Sequence, residues 1–256
     1  MGGLDGKVAL ISGTGRGMGR AAALEFAARG ARVFGCDLDE RSGAETVELV
    51  REAGGTMAAT APVDLAGPEG ARAWVAAAVA EFGGVDVLYN NASALRHGPF
   101  ATMPDEDWYF TIRNELHLVW HSTRAAWPEL IRRGGGSVIN VASIAARLGV
   151  RFVGQLPHGA AKGGVVSMTK HLCVIGGEHN IRANVILPGL IYTPETARFI
   201  DDPDGPLPDI LKGIPLGRYG RAEEVARLAA FLAGDDAPFI TGAEIVIDGG
   251  DSSVGG

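Results

Sequence analysis

One rhythm runs the length of this chain: a short apolar run, then a longer stretch with helical spacing. KVALIS (7–12), ARVFGC (31–36), TMAATAPV (56–63), VDVLYN (85–90), SVINVAS (137–143), RANVILP (182–188) and EIVIDG (244–249) read as strands. Helical patterns fill 18–29, 40–53, 68–82, 105–133, 157–179 and 222–233 between them. Most of the strand runs are apolar on both faces, so both of their faces must be covered. Strands buried on both faces and separated by helices pair in parallel through right-handed crossovers, which gives a doubly wound α/β sheet. At 256 residues the chain lies near the upper end of what one core supports. No linker divides it and no repeat of solenoid length appears, so a single domain over 1–256 is expected. Segment 194–216, PETARFIDDPDGPLPDILKGIPL, breaks the rhythm with Pro and Asp and reads as an irregular insertion over one end of the sheet, a substrate lid.

The charge balance narrows the partners. A net charge of −7 without any Lys/Arg block argues against nucleic acid or an anionic membrane. Cys36 and Cys173 sit far apart in apolar segments and read as reduced core residues. The opening MGGLDGKVAL has neither an apolar leader core nor a spanning run, so a cytoplasmic protein is expected.

The first strand leads into SGTGRGMGR (12–20). Gly13 allows the sharp turn out of the strand. Gly17 and Gly19 let the backbone approach a pyrophosphate and let the following helix pack on the sheet. Gly15, Arg16 and Met18 complete the loop, and the helix N-terminus supplies free N–H donors for the phosphates. A tight βα turn needs glycines too, but strand before and helix after favour the dinucleotide reading. The second strand ends in GCDLD, where Asp37, followed by Leu38, stands to accept hydrogen bonds from ribose hydroxyls. A carboxylate there repels a 2′-phosphate, so NAD(H) is favoured over NADP(H), with Arg16 pulling mildly the other way. Asp39 competes with Asp37 for the alternative role of capping the next helix.

SGTGRGMG (12–19), VDL (63–65), NNAS (90–93), Asn114, Ser143, the lysine of HGAAK (158–162), PGLIYT (188–193) and TGAEIVIDGG (241–250) follow one another in order. Their joint order and spacing resemble the short-chain dehydrogenase/reductase family of the compact type, over nearly the whole chain. The resemblance implies a Rossmann-like fold of about seven strands with a nicotinamide dinucleotide at their carboxyl ends. It implies that Asp64 and Leu65 meet the adenine and that Asn90 and Ala92 line the cofactor cleft. Pro188, Gly189, Ile191 and Thr193 would hold the nicotinamide carboxamide. Ser143 would orient a substrate carbonyl or hydroxyl, Asn114 would fix a water in a proton relay, and Lys162 would bind the nicotinamide ribose and tune its catalytic neighbour. A homo-oligomer, a tetramer, is also implied, built through the long helices 105–133 and 157–179. The activity implied is hydride transfer between a small secondary alcohol and a ketone.

One residue departs from the pattern. The family places a tyrosine, its general acid/base, four residues before the lysine, and this chain has His158 there. None of Tyr89, Tyr109, Tyr192 and Tyr219 precedes a lysine by four. One helical turn sets His158 and Lys162 on the same face. Three readings stay open. His158 is a working acid/base, suited to neutral pH, with Lys162 beside it favouring the neutral ring. It is inert, and Tyr192 or a water takes its place. Or the scaffold serves a non-redox lyase or isomerase, or a catalytically weak dinucleotide-binding protein. Val150, Phe152, Leu156 and Phe199 suggest an apolar pocket wall, with Ser143 and Tyr192 also facing substrate. His117 and His121 stand one turn apart, but without a third ligand no metal is expected. Ser143 with His158 does not suggest a serine hydrolase, since no G-x-S-x-G elbow exists.

Overall fold

The computed structural model describes residues 3–149, 154–202 and 211–254. Its strands are β1 (Val8–Ser12), β2 (Arg32–Cys36), β3 (Thr56–Thr60), β4 (Val87–Asn90), β5 (Gly136–Val141), β6 (Ile181–Pro188), β7 (Ile191–Tyr192), β8 (Gly220–Arg221) and β9 (Glu244–Ile247). Seven of them form one sheet in the order β3-β2-β1-β4-β5-β6-β9, and every pairing is parallel. The helices are α1 (Gly17–Ala28), α2 (Glu40–Glu52), α3 (Pro68–Phe82), α4 (Asp105–Ile112), α5 (Leu118–Arg132), α6 (Leu156–Gly176), α7 (Pro194–Ile200) and α8 (Ala222–Ala233).

The apolar strands are explained by two cores, one on each face of the sheet. In β1, Ala9 and Ile11 pack with Phe26 of α1, Val47 and Val50 of α2 and Val225 of α8. Val8 and Leu10 point the other way, into Trp74 of α3, Leu118 and Leu130 of α5 and Val165 of α6. A strand that alternates between two apolar layers has no polar position to show. The strand order reverses between β1 and β4, so their outgoing loops diverge and leave a crevice at the carboxyl ends.

Three expectations need correction. The helix expected over 105–133 is interrupted by a π-helical turn, Arg113–His117, between α4 and α5. Helix 157–179 ends as α-helix at Gly176 and closes with a 3-10 turn, Gly177–His179. Segment 194–216 is not irregular throughout: Pro194 takes the first position of α7, and Thr193 and Thr196 cap it reciprocally. Residues 203–210 of that segment, and Val150 and Phe152 of the expected pocket wall, lie outside the described residues. Cys36 and Cys173 are both free. Among the described residues no helix is long and apolar enough to cross a membrane.

Candidate active site at the sheet switch point

The glycine loop fills the crevice between β1 and β4. Gly13 has φ +71°, and a Cβ there would come within 3.0 Å of the Ala92 backbone. A Cβ on Gly19 would lie 1.9 Å from the Gly13 carbonyl oxygen, so α1 can start this close to the strand only with glycine at that position. Arg16, at the N-cap of α1, makes no side-chain capping bond, and no acid stands in the first turn. The helix therefore opens with N–H groups that no side chain has claimed, a fitting cradle for a pyrophosphate. Met18 packs back onto the core.

Asp37 and Asp39 divide the roles left open between them. Asp39 caps α2, accepting the Ser42 N–H at 2.9 Å. Asp37 takes the Gly15 N–H at 2.7 Å and the Asp39 N–H at 3.0 Å, which fixes its carboxylate against the glycine loop, with Leu38 exposed beside it. Arg16 is engaged by Glu195 of α7, across the crevice. Asp64 accepts from the Ala66 N–H and from Arg113 of the π turn. Burial works against its ionisation, but these two donors outweigh it and hold the carboxyl below its ordinary range. The side chain of Leu65 is buried in the core, leaving only its backbone to face the crevice.

Asn90 does not line the cleft. Its amide donates to Thr123 at 3.0 Å and Asn140 at 2.8 Å and accepts from Ser122 at 2.7 Å, tying β4 to α5 and β5 inside the core. Its position at the end of a fully buried strand turns it inward. Asn91, which the sequence did not single out, does the holding at the cleft. Its side chain donates to the Ser12 carbonyl at 3.0 Å, and its own N–H and that of Ala92 donate to the Ser12 hydroxyl, both at 3.0 Å. Across the crevice, Pro188 ends β6, Gly189 donates to the Ile247 carbonyl at 3.0 Å, and Ile191 is buried. Tyr192 donates its hydroxyl to Asp201 at 3.0 Å, and that carboxylate pushes its pKa up. A phenol so engaged is a poor substitute base.

The chemistry-bearing groups meet at the start of α6. His158 Nδ1 lies 2.9 and 2.8 Å from the two carboxylate oxygens of Glu115, a residue of the π turn whose side chain is 0% exposed. Ser93 donates its hydroxyl to Glu115 Oε1 at 2.5 Å. Lys162 Nζ lies 3.8 Å from the same oxygen and donates to the Val141 carbonyl at 3.1 Å. Burial opposes charge on Glu115, but Lys162, His158 and Ser93 overcome it and hold the carboxyl below its ordinary range. The group touching the His158 ring is thus an anion, not the lysine expected from the one-turn spacing, because the buried ammonium is turned to Val141 and Glu115. Asn114, beside Glu115, is buried and donates to the Phe110 carbonyl at 2.8 Å. Ser143 caps the 3-10 turn after β5, accepting the Ala145 N–H at 3.1 Å. His97 and Phe199 meet edge to face at 6.1 Å. Burial, with His158 and Arg198 nearby, keeps His97 below the ordinary histidine value.

A family model described as enoyl-(acyl carrier protein) reductase matches residues 13–252. The 3-oxoacyl-[acyl-carrier-protein] reductase FabG of Thermotoga maritima is 36% identical over 249 residues, 96% of this chain and 98% of that protein. A cyclohexanol dehydrogenase of an Acinetobacter species is 35% identical over 96% of this chain and 94% of its own length. The solved structure of a short-chain type dehydrogenase/reductase from Mycobacterium ulcerans superposes with a TM-score of 0.93 at 28% identity, covering 99% of this chain and 92% of that one. The chain belongs to the short-chain dehydrogenase/reductase family. It is an oxidoreductase of that family, whose members bind a nicotinamide dinucleotide. Of the short-chain dehydrogenase/reductase positions named from sequence, His158 and Lys162 meet through Glu115. Asn114 adjoins Glu115 on the π turn, and Ser143 opens the turn that packs on α6. Glu115, Ser93 and Asn91 are the additions that the sequence did not announce. Glu115 stands among Arg113, Asn114 and His117, so its sequence neighbours give no sign that it is buried.

Proposed function

We propose that this protein is an NAD(H)-preferring oxidoreductase that interconverts a secondary alcohol and a ketone, with His158 as the residue that carries the proton. The contact between His158 and Glu115 at the start of α6 carries this reading, because it leaves Nε2 as the nitrogen free for substrate. Among the described residues no protein atom bonds Nε2. The dinucleotide, when bound, supplies the hydride acceptor for alcohol oxidation and the donor for the reverse. The uncapped start of α1 and the glycine loop would hold its phosphates, Asp37 the adenosine ribose, and Lys162 and Thr193 the nicotinamide end. Asp37 disfavours a 2′-phosphate, and the engagement of Arg16 by Glu195 removes the one loop cation that would welcome it. His158 takes the hydroxyl proton of the alcohol at Nε2 or returns it to the ketone oxygen. Ser143 orients that oxygen, Asn114 positions a water behind the histidine, and Phe199 with Tyr192 borders the substrate under a lid formed by 194–216. The name of the Acinetobacter relative, a cyclohexanol dehydrogenase, supports a secondary alcohol.

A cytoplasmic homotetramer completes the reading. An open groove of about 630 Å³ between α5 and α6 is lined by Leu116, Trp120 and Met168 with His117, His121 and His171, and Trp120 is exposed. A second copy packed there would cover it, and a monomeric mass by light scattering at micromolar concentration would count against this. The activity is tested by a screen of alcohols and ketones with NAD(H), followed at the nicotinamide absorbance. His158→Ala should lower kcat by about 10²–10⁴-fold with NAD(H) affinity unchanged. Full activity in that variant overturns the role of His158.

A further inference from the structure

We infer that Glu115 is the positioning carboxylate of the acid/base, forming with His158 a buried dyad that holds the proton on Nδ1 and keeps the Nε2 lone pair for substrate. The inference rests on the reading of His158 given above. Its first support is the hydrogen-bond inventory. A carboxylate held in its ionised form has no proton to give, so contacts of 2.9 and 2.8 Å to Nδ1 require the hydrogen on the ring nitrogen. A neutral ring protonated at Nδ1 accepts at Nε2, which fixes the tautomer that a base needs.

The second support is cost. A fully buried carboxylate is strongly unfavourable unless charges and donors surround it. Glu115 has three such partners, His158, Ser93 and Lys162, drawn from α6 and the loop after β4. The π turn contributes the geometry. Asn114 and Glu115, consecutive on it, are both buried. It places the Asn114 amide on the Phe110 carbonyl and the Glu115 carboxylate on His158.

The third support is the charge around the ring. Lys162, from the same helix as His158, lies 3.8 Å from the Glu115 carboxylate, and His97 lies near His158 from the loop after β4, with Arg198 of α7 close to His97. Glu115, from the π turn, is the anion in this set. During oxidation the alcohol O–H proton passes to Nε2 and the O–H electron pair becomes the second bond of the carbonyl. The hydride leaves carbon with the C–H pair for the dinucleotide. The imidazolium so formed sits against the Glu115 carboxylate, and on reduction it returns the proton to the ketone oxygen. Without Glu115 the nearby fixed charges would be the cations Lys162 and Arg198, and forming an imidazolium would be disfavoured.

The test uses Glu115→Gln and Glu115→Asp with cyclohexanol and NAD⁺ as probe, together with ring nitrogen resonances of ¹⁵N-histidine protein free of cofactor. His158→Ala identifies the His158 signals among the six histidines. A glutamine can donate to Nδ1 and so install the wrong tautomer. Glu115→Gln should therefore lower kcat by about 10²–10⁴-fold, in line with loss of a positioned acid/base, with KM for NAD⁺ changed by less than about twofold. What activity remains should show its acid limb at lower pH than the parent. Glu115→Asp should recover part of the rate. In the parent the His158 resonances should report a proton on Nδ1, and in Glu115→Gln that signature should be lost. A parent ring protonated at Nε2 alone overturns the dyad, as does a Glu115→Gln protein with unchanged kcat and pH profile. If His158→Ala retains full activity while the parent ring is protonated at Nδ1, the acid/base reading fails and the dyad stands as a structural pair. If Glu115→Gln does not fold, the parent resonances and the Glu115→Asp profile still decide.

Discussion

Putting tyrosine back at position 158 looks like the simplest way to restore the family's usual acid/base, since Asn114, Ser143 and Lys162 are in place. The site predicts that His158→Tyr alone performs badly. The phenol must ionise to act as base in alcohol oxidation, and its ordinary pKa of about 10 has first to be lowered. Lys162 helps, but Glu115 is within hydrogen-bond reach of the residue at 158. With the phenolic oxygen about 5 Å from that carboxylate and an effective dielectric constant of about 20, the repulsion on a phenolate is about 3 kcal/mol. That is a rise of about two pKa units, or about 10²-fold less phenolate at a fixed pH below the pKa. Replacing the carboxylate as well, in His158→Tyr/Glu115→Leu, should remove the penalty. The assay is the ultraviolet pH titration of the new phenol, by difference from His158→Phe, together with cyclohexanol oxidation by NAD⁺. The double variant should titrate about two units lower and turn over about 10²-fold faster than His158→Tyr. Equal titration and equal rates in the two proteins would refute the claim that Glu115 dictates which acid/base this pocket tolerates.

Three further outcomes follow from named contacts. Asp37→Ala should narrow the gap between NAD(H) and NADP(H) affinities measured by calorimetry, and a parent protein that binds NADP(H) equally or more tightly removes the ribose role of Asp37. Glu195→Gln should tighten dinucleotide binding by about two- to fivefold, because it takes a carboxylate away from the start of α1 and frees Arg16; unchanged or weaker binding argues against that carboxylate competing for the phosphate cradle. Glu224, held by Arg218 and by the Arg221 N–H, has its pKa pushed down from 4.5 to about 2. A carboxyl with a lower pKa in the folded state stabilises the fold above pH 4.5 and loses that contribution as pH falls toward about 2. The melting-temperature gap between the parent and Glu224→Gln should therefore shrink between about pH 6 and about pH 3, and a gap independent of pH contradicts the assignment.

The sheet was legible because strands such as VALIS bury every residue, and only a two-layered environment accepts that pattern. The glycine loop was legible for a related reason, since Gly13 and Gly19 answer to backbone clearances that no other residue meets. His158 and Lys162 could be paired from spacing alone. Glu115 could not be joined to them, because its contact with His158 spans two elements 43 residues apart and nothing in NELHL announces a π turn. Asn90 illustrates the opposite error. Its place in NNAS suggests the cleft, yet its side chain closes a hydrogen-bond network inside the core, and the neighbouring Asn91 holds the loop. The fully buried strand decides which of two adjacent asparagines faces inward, and the motif does not show it.

The π turn gives this site an unusual mutational sensitivity. Five residues, Arg113–His117, close a turn wider than the α-helix on either side needs. Deleting any one of them would let the chain relax into continuous α-helix, with α4 rotated by about 100° and shifted by about 1.5 Å relative to α5. The α5 side is anchored, since Ser122 and Thr123 are bonded to Asn90 in the core, so the rotation would fall on the residues before it. Glu115 would be turned away from His158. An in-frame loss of one codon in this turn would therefore break the Glu115–His158 contact even where α5 and the sheet keep their places.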